Sequence, residues 1–194
     1  MARMGNREAL LDGAKKCLLE KGYDRTTVRD IATAANVSMA AIGYHYGSRE
    51  ALLQQALFKS LEDWDAGLQA QLSRLDEPKG PKRFAAVWHL LIEHIRANPT
   101  MWTASFELFM QARRSPELAA VYAQGQPGAT AAMAALATGE VEEDIDAETI
   151  RTVGAVQLAL VSGVVMQWMS NPDTAPGPDE IAAGLRGLVA SIDA

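Results

Sequence analysis

The sequence predicts an all-α protein in two parts, a small group of short N-terminal helices and a larger helical body. Three observations carry this: apolar residues recur at three- and four-residue spacing along nearly the whole chain, no stretch alternates as a strand would, and the charge changes sign along the chain. Residues 1–60 hold nine Lys and Arg against six Asp and Glu, whereas the remainder holds nine against eighteen, within a net charge of −6 over 194 residues. A small basic module on an acidic body suggests that only the first part meets a polyanion. With 48% hydrophobic residues the chain can bury a substantial core without staples. The single cysteine, Cys17, excludes an internal disulfide framework and a cysteine-cluster metal site, which fits a reducing compartment. The opening "MARMGNREALLDGAKK" lacks the apolar core and cleavage site of an export signal, so a cytoplasmic location is expected.

Leu10, Leu11, Ala14, Cys17 and Leu18 fall on one helical face, and Lys21-Gly22 supplies the stop. Thr27 followed by Asp30 has capping-box spacing and opens a short second helix whose buried face is expected at Ile31, Ala34 and Ala35. Asn36 ends it, because asparagine tolerates the left-handed conformation of a tight turn, and Val37 fits the angle between two helices. Ser38 caps a third helix from Met39 to about Tyr46, and Gly47-Ser48 stops it and caps a fourth starting near Arg49. Leu52, Leu53, Ala56, Leu57, Leu61, Trp64 and Leu68 carry that stripe on to a break at "DEPKGPK", residues 76–82. Phe84, Val87, Trp88, Leu91, Ile92 and Ile95 form the next stripe, closed by Asn98-Pro99. Trp102, Phe106, Phe109 and Met110 form another, closed by Ser115-Pro116.

"GQPG" at residues 125–128 is expected to break the chain again, and the acidic "GEVEEDID" at 139–146 to form a solvated loop leading into a helix. From Val153 to Met169 the chain is apolar on nearly every side. The run is shorter than the ~20 residues of a membrane span and lacks aromatic and basic anchors on both flanks, so no membrane is expected. A helix apolar all round is expected to be buried all round. In a chain this small that means burial against a second subunit, with Ile181, Leu185, Leu188, Val189 and Ile192 of the last helix as companions.

Three short helices with a tight turn between the second and third make a helix-turn-helix. A helix entering the major groove needs slim residues for close approach and polar tips for bases and phosphates. Met39, Ala40, Ala41 and Gly43 keep the third helix slim, while Tyr44 and His45 supply donors. Arg49, Ser48 and the free amides of the fourth helix can hold a phosphate, as can Thr27 and Arg29. The series Thr27, Ile31-Ala32, Val37-Ser38, Tyr44-His45-Tyr46 and Ser48-Arg49-Glu50-Ala51-Leu52 resembles the DNA-binding domain of TetR-family transcriptional repressors over about residues 7–55. Two positions depart from the family pattern. Asn36 stands where glycine is usual, and Gly43 where a large residue is common, which is expected to weaken the third helix and remove one DNA contact.

The resemblance implies an all-α homodimeric repressor whose body binds a small effector. Its N-terminal three-helix helix-turn-helix domain (1–50) is joined to a larger helical ligand-binding and dimerisation domain (51–194), the dimer forming through the helices at about 150–170 and 179–192. By position, Arg29, Met39, Ala40 and Ala41 would face bases of a near-palindromic double-stranded operator, and Thr27, Ser38, Tyr44, His45 and Arg49 would hold its phosphates. Tyr46 is expected to pack inward against the first helix.

An effector cavity, predicted by the resemblance, would draw on Trp88, Trp102, Phe106, Phe109, Met110 and Gln157, the last being an amide in an apolar helix that must find a partner. Met133 and Trp168 are further large apolar residues of the body. Glu93 and Glu107 lie off the apolar stripes of their helices, so the effector is expected to be apolar or aromatic rather than cationic. A catalytic reading finds no support: His89 and His94 are five apart rather than four, and no phosphate-binding loop or nucleophile elbow is present. No cofactor or metal is expected. Two rival readings stay open, a DNA-binding protein of this fold without a ligand and a transcriptional activator.

Overall fold

The structure, a computed structural model, describes residues 5–72, 74 and 80–192. Its helices are α1 (Asn6–Lys21), α2 (Val28–Ala35), α3 (Met39–Tyr46), α4 (Arg49–Leu72), α5 (Pro81–Ala97), α6 (Pro99–Ala112), α7 (Pro116–Thr138), α8 (Ala147–Thr149), α9 (Ala155–Ser170) and α10 (Pro178–Ile192), with no strand among the described residues. They form two compact units, Met1–Ala66 with Asn98–Ser115, and Gly67–Ala97 with Pro116–Ala194. The grouping differs from a division at residue 50, because α4 begins in the first unit and α6 folds with the N-terminal helices.

In the first unit α1 packs on α2, α3 and α6. Leu10, Ala14, Cys17 and Leu18 are buried as the spacing predicts. At Gly13 a Cβ would lie 3.0 Å from both the Cβ and the amide nitrogen of Ala35, so α1 and α2 meet backbone to backbone. That approach turns α2 so that Ile31 and Ala32 are buried, Ala35 is half-buried and Ala34 is exposed, correcting the expected face. The capping box is present: Thr27 Oγ1 accepts from the Asp30 amide at 3.2 Å and Asp30 Oδ2 accepts from the Thr27 amide at 2.9 Å. Asn36 takes the left-handed conformation, φ 52° and ψ 44°. Tyr46 turns inward, its hydroxyl donating to the Arg7 carbonyl at 2.6 Å. In α4, Leu52, Leu53, Ala56 and Leu57 are buried, and Lys15 of α1 pairs with Asp63. In α6 the buried face is Met101, Trp102, Ala104, Leu108 and Ala112. Phe109 and Met110 point to solvent instead of sharing the stripe with Trp102.

In the second unit α5 packs on α9 and α10, and α9 on α7. Val87, Trp88, Leu91, Ile92 and Ile95 form the buried stripe of α5 as expected, but at its start Arg83 is buried and Phe84 only half-buried. The predicted break at 76–82 lies for the most part outside the described residues; α5 begins at Pro81. The predicted break at 125–128 does not occur: α7 runs through Pro127 without interruption. Residues 123–129 are exposed, so water can satisfy the carbonyl that Pro127 leaves without a donor. Met133, Ala134, Ala135 and Leu136 are buried beyond it and hold the helix past the proline. The acidic segment is solvated apart from Ile145, which packs on Ala134 and Ala135. Asp146 then caps α8, accepting from the amides of Glu148 and Thr149 at 2.9 Å.

A π-helical turn, Ile150–Gly154, joins α8 to α9, so that Ala147–Ser170 is one helical run of 24 residues. By length and composition alone this run could cross a bilayer. Here it packs on α7 and α5 through Gly154, Gln157, Val161, Val164 and Val165. Within the single chain burial is one-sided: Val156 and Met166 are exposed on α9, as are Leu188, Val189 and Ile192 on α10. Their apolar surface has no partner within the unit.

Candidate nucleic-acid interface

α3 shows how eight residues divide into an anchor and a reader. Ile42 and Tyr46, four apart, bury one face, whereas Met39, Ala40, Gly43 and Tyr44 are exposed on the other. Tyr44 stands 85% exposed, an unusual position for an aromatic side chain. Its ring meets the half-buried His45 edge to face at 4.9 Å. Ala41 is half-buried. Ser38 occupies the N-cap position with extended backbone, but its hydroxyl makes no capping bond, which leaves it available to an acceptor such as a phosphate oxygen. Gly43 does not break the helix, which continues to Tyr46 and closes with the Gly47 amide donating to the Gly43 carbonyl at 3.0 Å. Gly47 needs its glycine, with φ 78°.

Arg29 on α2 is exposed, as a base or phosphate contact requires. Two other residues expected at phosphates are otherwise engaged. The Thr27 hydroxyl donates its one proton to Asp30 Oδ2 at 2.7 Å. Arg49 points into the protein: Nε donates to the Thr26 carbonyl, a terminal nitrogen to the Tyr23 carbonyl, and the other pairs with Glu50 at 3.0 Å. Its guanidinium carbon lies 5.5 Å from the centre of the Tyr23 ring. Ser48 caps α4, accepting from the Ala51 amide at 3.0 Å. The electrostatics of α2 are set by Asp30. Lys21 Nζ at 2.6 Å, and then the Thr27 hydroxyl and amide, hold its carboxyl well below the usual carboxylate range.

Sequence reasoning did not find the α1–α2 loop as a structural element. Tyr23 and Thr26 are both buried, and the Thr26 hydroxyl lies 2.7 Å from the Gly22 carbonyl and 3.1 Å from that of Cys17. The loop also lines a cleft of about 220 Å³, with Pro99, Thr100, Thr103 and Glu107 of α6 on its other side. Burial pushes the Glu107 carboxyl up, and Asp24 adds to the effect. The partners in this loop are backbone carbonyls, for which no residue pattern is a signal.

The expected effector residues do not gather within one unit. Trp102, Phe106, Phe109 and Met110 belong to the first, and Trp88 and Gln157 to the second. Trp88 is wholly buried, and Trp102 is buried and meets Trp64 edge to face at 5.6 Å. Phe106 is half-buried, while Phe109 and Met110 are half or more exposed. Gln157 is buried on α9, Met133 is buried on α7, and Trp168 donates to the Pro176 carbonyl at 3.2 Å.

Residues 10–56 match the family described as bacterial regulatory proteins, tetR family, and residues 79–191 match the tetracyclin repressor-like C-terminal domain. The HTH-type transcriptional regulator BetI of Agrobacterium fabrum (strain C58) is 29% identical over 111 residues, which cover 57% of this chain and 53% of BetI. The HTH-type transcriptional repressor Rv1474c of Mycobacterium tuberculosis (strain H37Rv) is 44% identical over 46 residues, 24% of this chain and 25% of its own. The chain thus spans about half the length of the first relative and a quarter of the second. Among solved structures, the multidrug binding protein EbrR complexed with proflavin aligns with a TM-score of 0.63 at 23% identity, over 90% of this chain and 94% of that one, a likeness of fold.

Proposed function

The chain belongs to the tetR family of bacterial regulatory proteins, a family of transcriptional regulators rather than enzymes, and from that premise we propose that it is a cytoplasmic homodimeric repressor. It binds a near-palindromic operator and leaves it when a small apolar or aromatic effector binds. The observation that carries the DNA-binding part is the outer face of α3, where Met39, Ala40 and Tyr44 stand exposed beside the uncommitted Ser38 hydroxyl. Arg29, Met39, Ala40 and Ala41 meet base edges, and Ser38, Tyr44 and His45 hold phosphates. Dimerisation is supported by the uncovered apolar residues of α9 and α10. A multidrug binding protein of the same fold, complexed with proflavin, supports a small-molecule effector for the body of this chain.

Selection of genomic fragments by the purified protein at near-physiological salt tests this reading. Enrichment of a palindrome with half-sites about 34 Å apart, or a multiple of that, is the expected result. Retention of random fragments in proportion to their length would overturn it. For the effector, a library compound that raises the melting temperature and releases the enriched fragment is expected, because binding to the native state alone must stabilise it.

A further inference from the structure

Arg49 is the first residue of α4, the helix that continues from the first unit into the second. Its guanidinium is spread over the carbonyls of Thr26 and Tyr23, with Asp24 O at 3.4 Å, over the Tyr23 ring and over the Glu50 carboxylate. Such a fork of donors serves several acceptors at once, which a lysine ammonium on a flexible stem cannot do in the same geometry. The carbonyls it holds belong to the loop that ends at Thr27, the N-cap of α2.

We propose that Arg49 is a positioning residue that locks the start of α4 to the α1–α2 loop and thereby fixes the N-terminus of α2 in the reading head. This rests on the DNA-binding reading above. It replaces a phosphate-binding role for Arg49, since the donors that would meet a phosphate are turned inward. The same loop forms one wall of the cleft facing α6.

Lysine and alanine substitutions separate a lock from a phosphate contact. Arg49→Lys keeps the charge and loses the fork; Arg49→Ala loses both. A lock requires both variants to weaken operator binding alike, by roughly tenfold or more, with the salt dependence of binding unchanged. The Thr27 amide, protected by Asp30, should also exchange its hydrogen faster in both variants without DNA. Wild-type binding by Arg49→Lys, together with a salt slope about 0.9 shallower for Arg49→Ala, would overturn the proposal in favour of a phosphate contact. If Arg49→Ala does not fold, Arg49→Lys decides alone. If the wild-type protein binds no operator, the DNA-binding reading falls, and the exchange comparison still decides whether Arg49 locks the loop.

Discussion

A methyl group on Gly154 would lie 2.4 Å from the Thr130 carbonyl oxygen and 3.1 Å from the Ala134 methyl, so the π-turn can touch α7 only because residue 154 has no side chain. Gly154→Ala should therefore force the two segments apart and cost about 1–3 kcal/mol as overpacking, read as a lower urea midpoint with an unchanged slope. An unchanged midpoint would mean that the contact yields freely. Asp30 makes a different kind of prediction. A carboxyl whose folded pKa is depressed stabilises the fold above its unfolded value, about 4, and that stability is lost as the pH falls through the unfolded value toward the folded one. Asp30→Asn should accordingly melt below the wild type at about pH 7, and the gap should narrow steadily as the pH falls below about 4 toward the folded value. A gap of the same size at acid pH as at about pH 7 would show that the substitution acts through packing rather than through the charge shared with Lys21.

At the scale of elements, α7 is where propensity and tertiary structure disagree. Proline inside a helix costs about 3 kcal/mol, partly offset by about 0.4–1 kcal/mol through its restriction of the unfolded chain. Pro127→Ala should thus raise the stability of the second unit by about 2 kcal/mol, measured by denaturant titration, because residue 127 is exposed and helical on both sides. A loss of stability would show that the proline ring itself packs. The same disagreement explains what could be read in advance. Asn36 and the Thr27–Asp30 box were legible because each is a local backbone requirement met by a residue at fixed spacing. The face of α6 was not, since Met101, Ala104 and Leu108 repeat at helical spacing beside Trp102, Phe106 and Phe109, and periodicity cannot choose between two apolar stripes. The exposed face of α3 followed from sequence, but the inward turn of Arg49 did not, because its acceptors are carbonyls of residues 23–26 places away along the chain.

At the scale of the whole molecule, the proposed dimer rests on the uncovered apolar residues. Val156 and Met166 on α9, and Leu188, Val189 and Ile192 on α10, are each more than half exposed. Large apolar side chains left in water on two helices support burial against a second copy, and a self-complementary surface closes as a twofold dimer. Twofold symmetry would also give two α3 helices the relation that a near-palindromic site demands. Leu188→Glu places a charge among those exposed apolar side chains. It should convert a dimer at micromolar concentration into a folded monomer in a sedimentation experiment. Operator affinity should fall by at least about a hundredfold, because a single head then binds without its partner's contribution. A variant that stays dimeric with the charge in place would move the interface off α10. A wild-type protein that sediments as a monomer would leave the apolar face without the second copy for which it is argued.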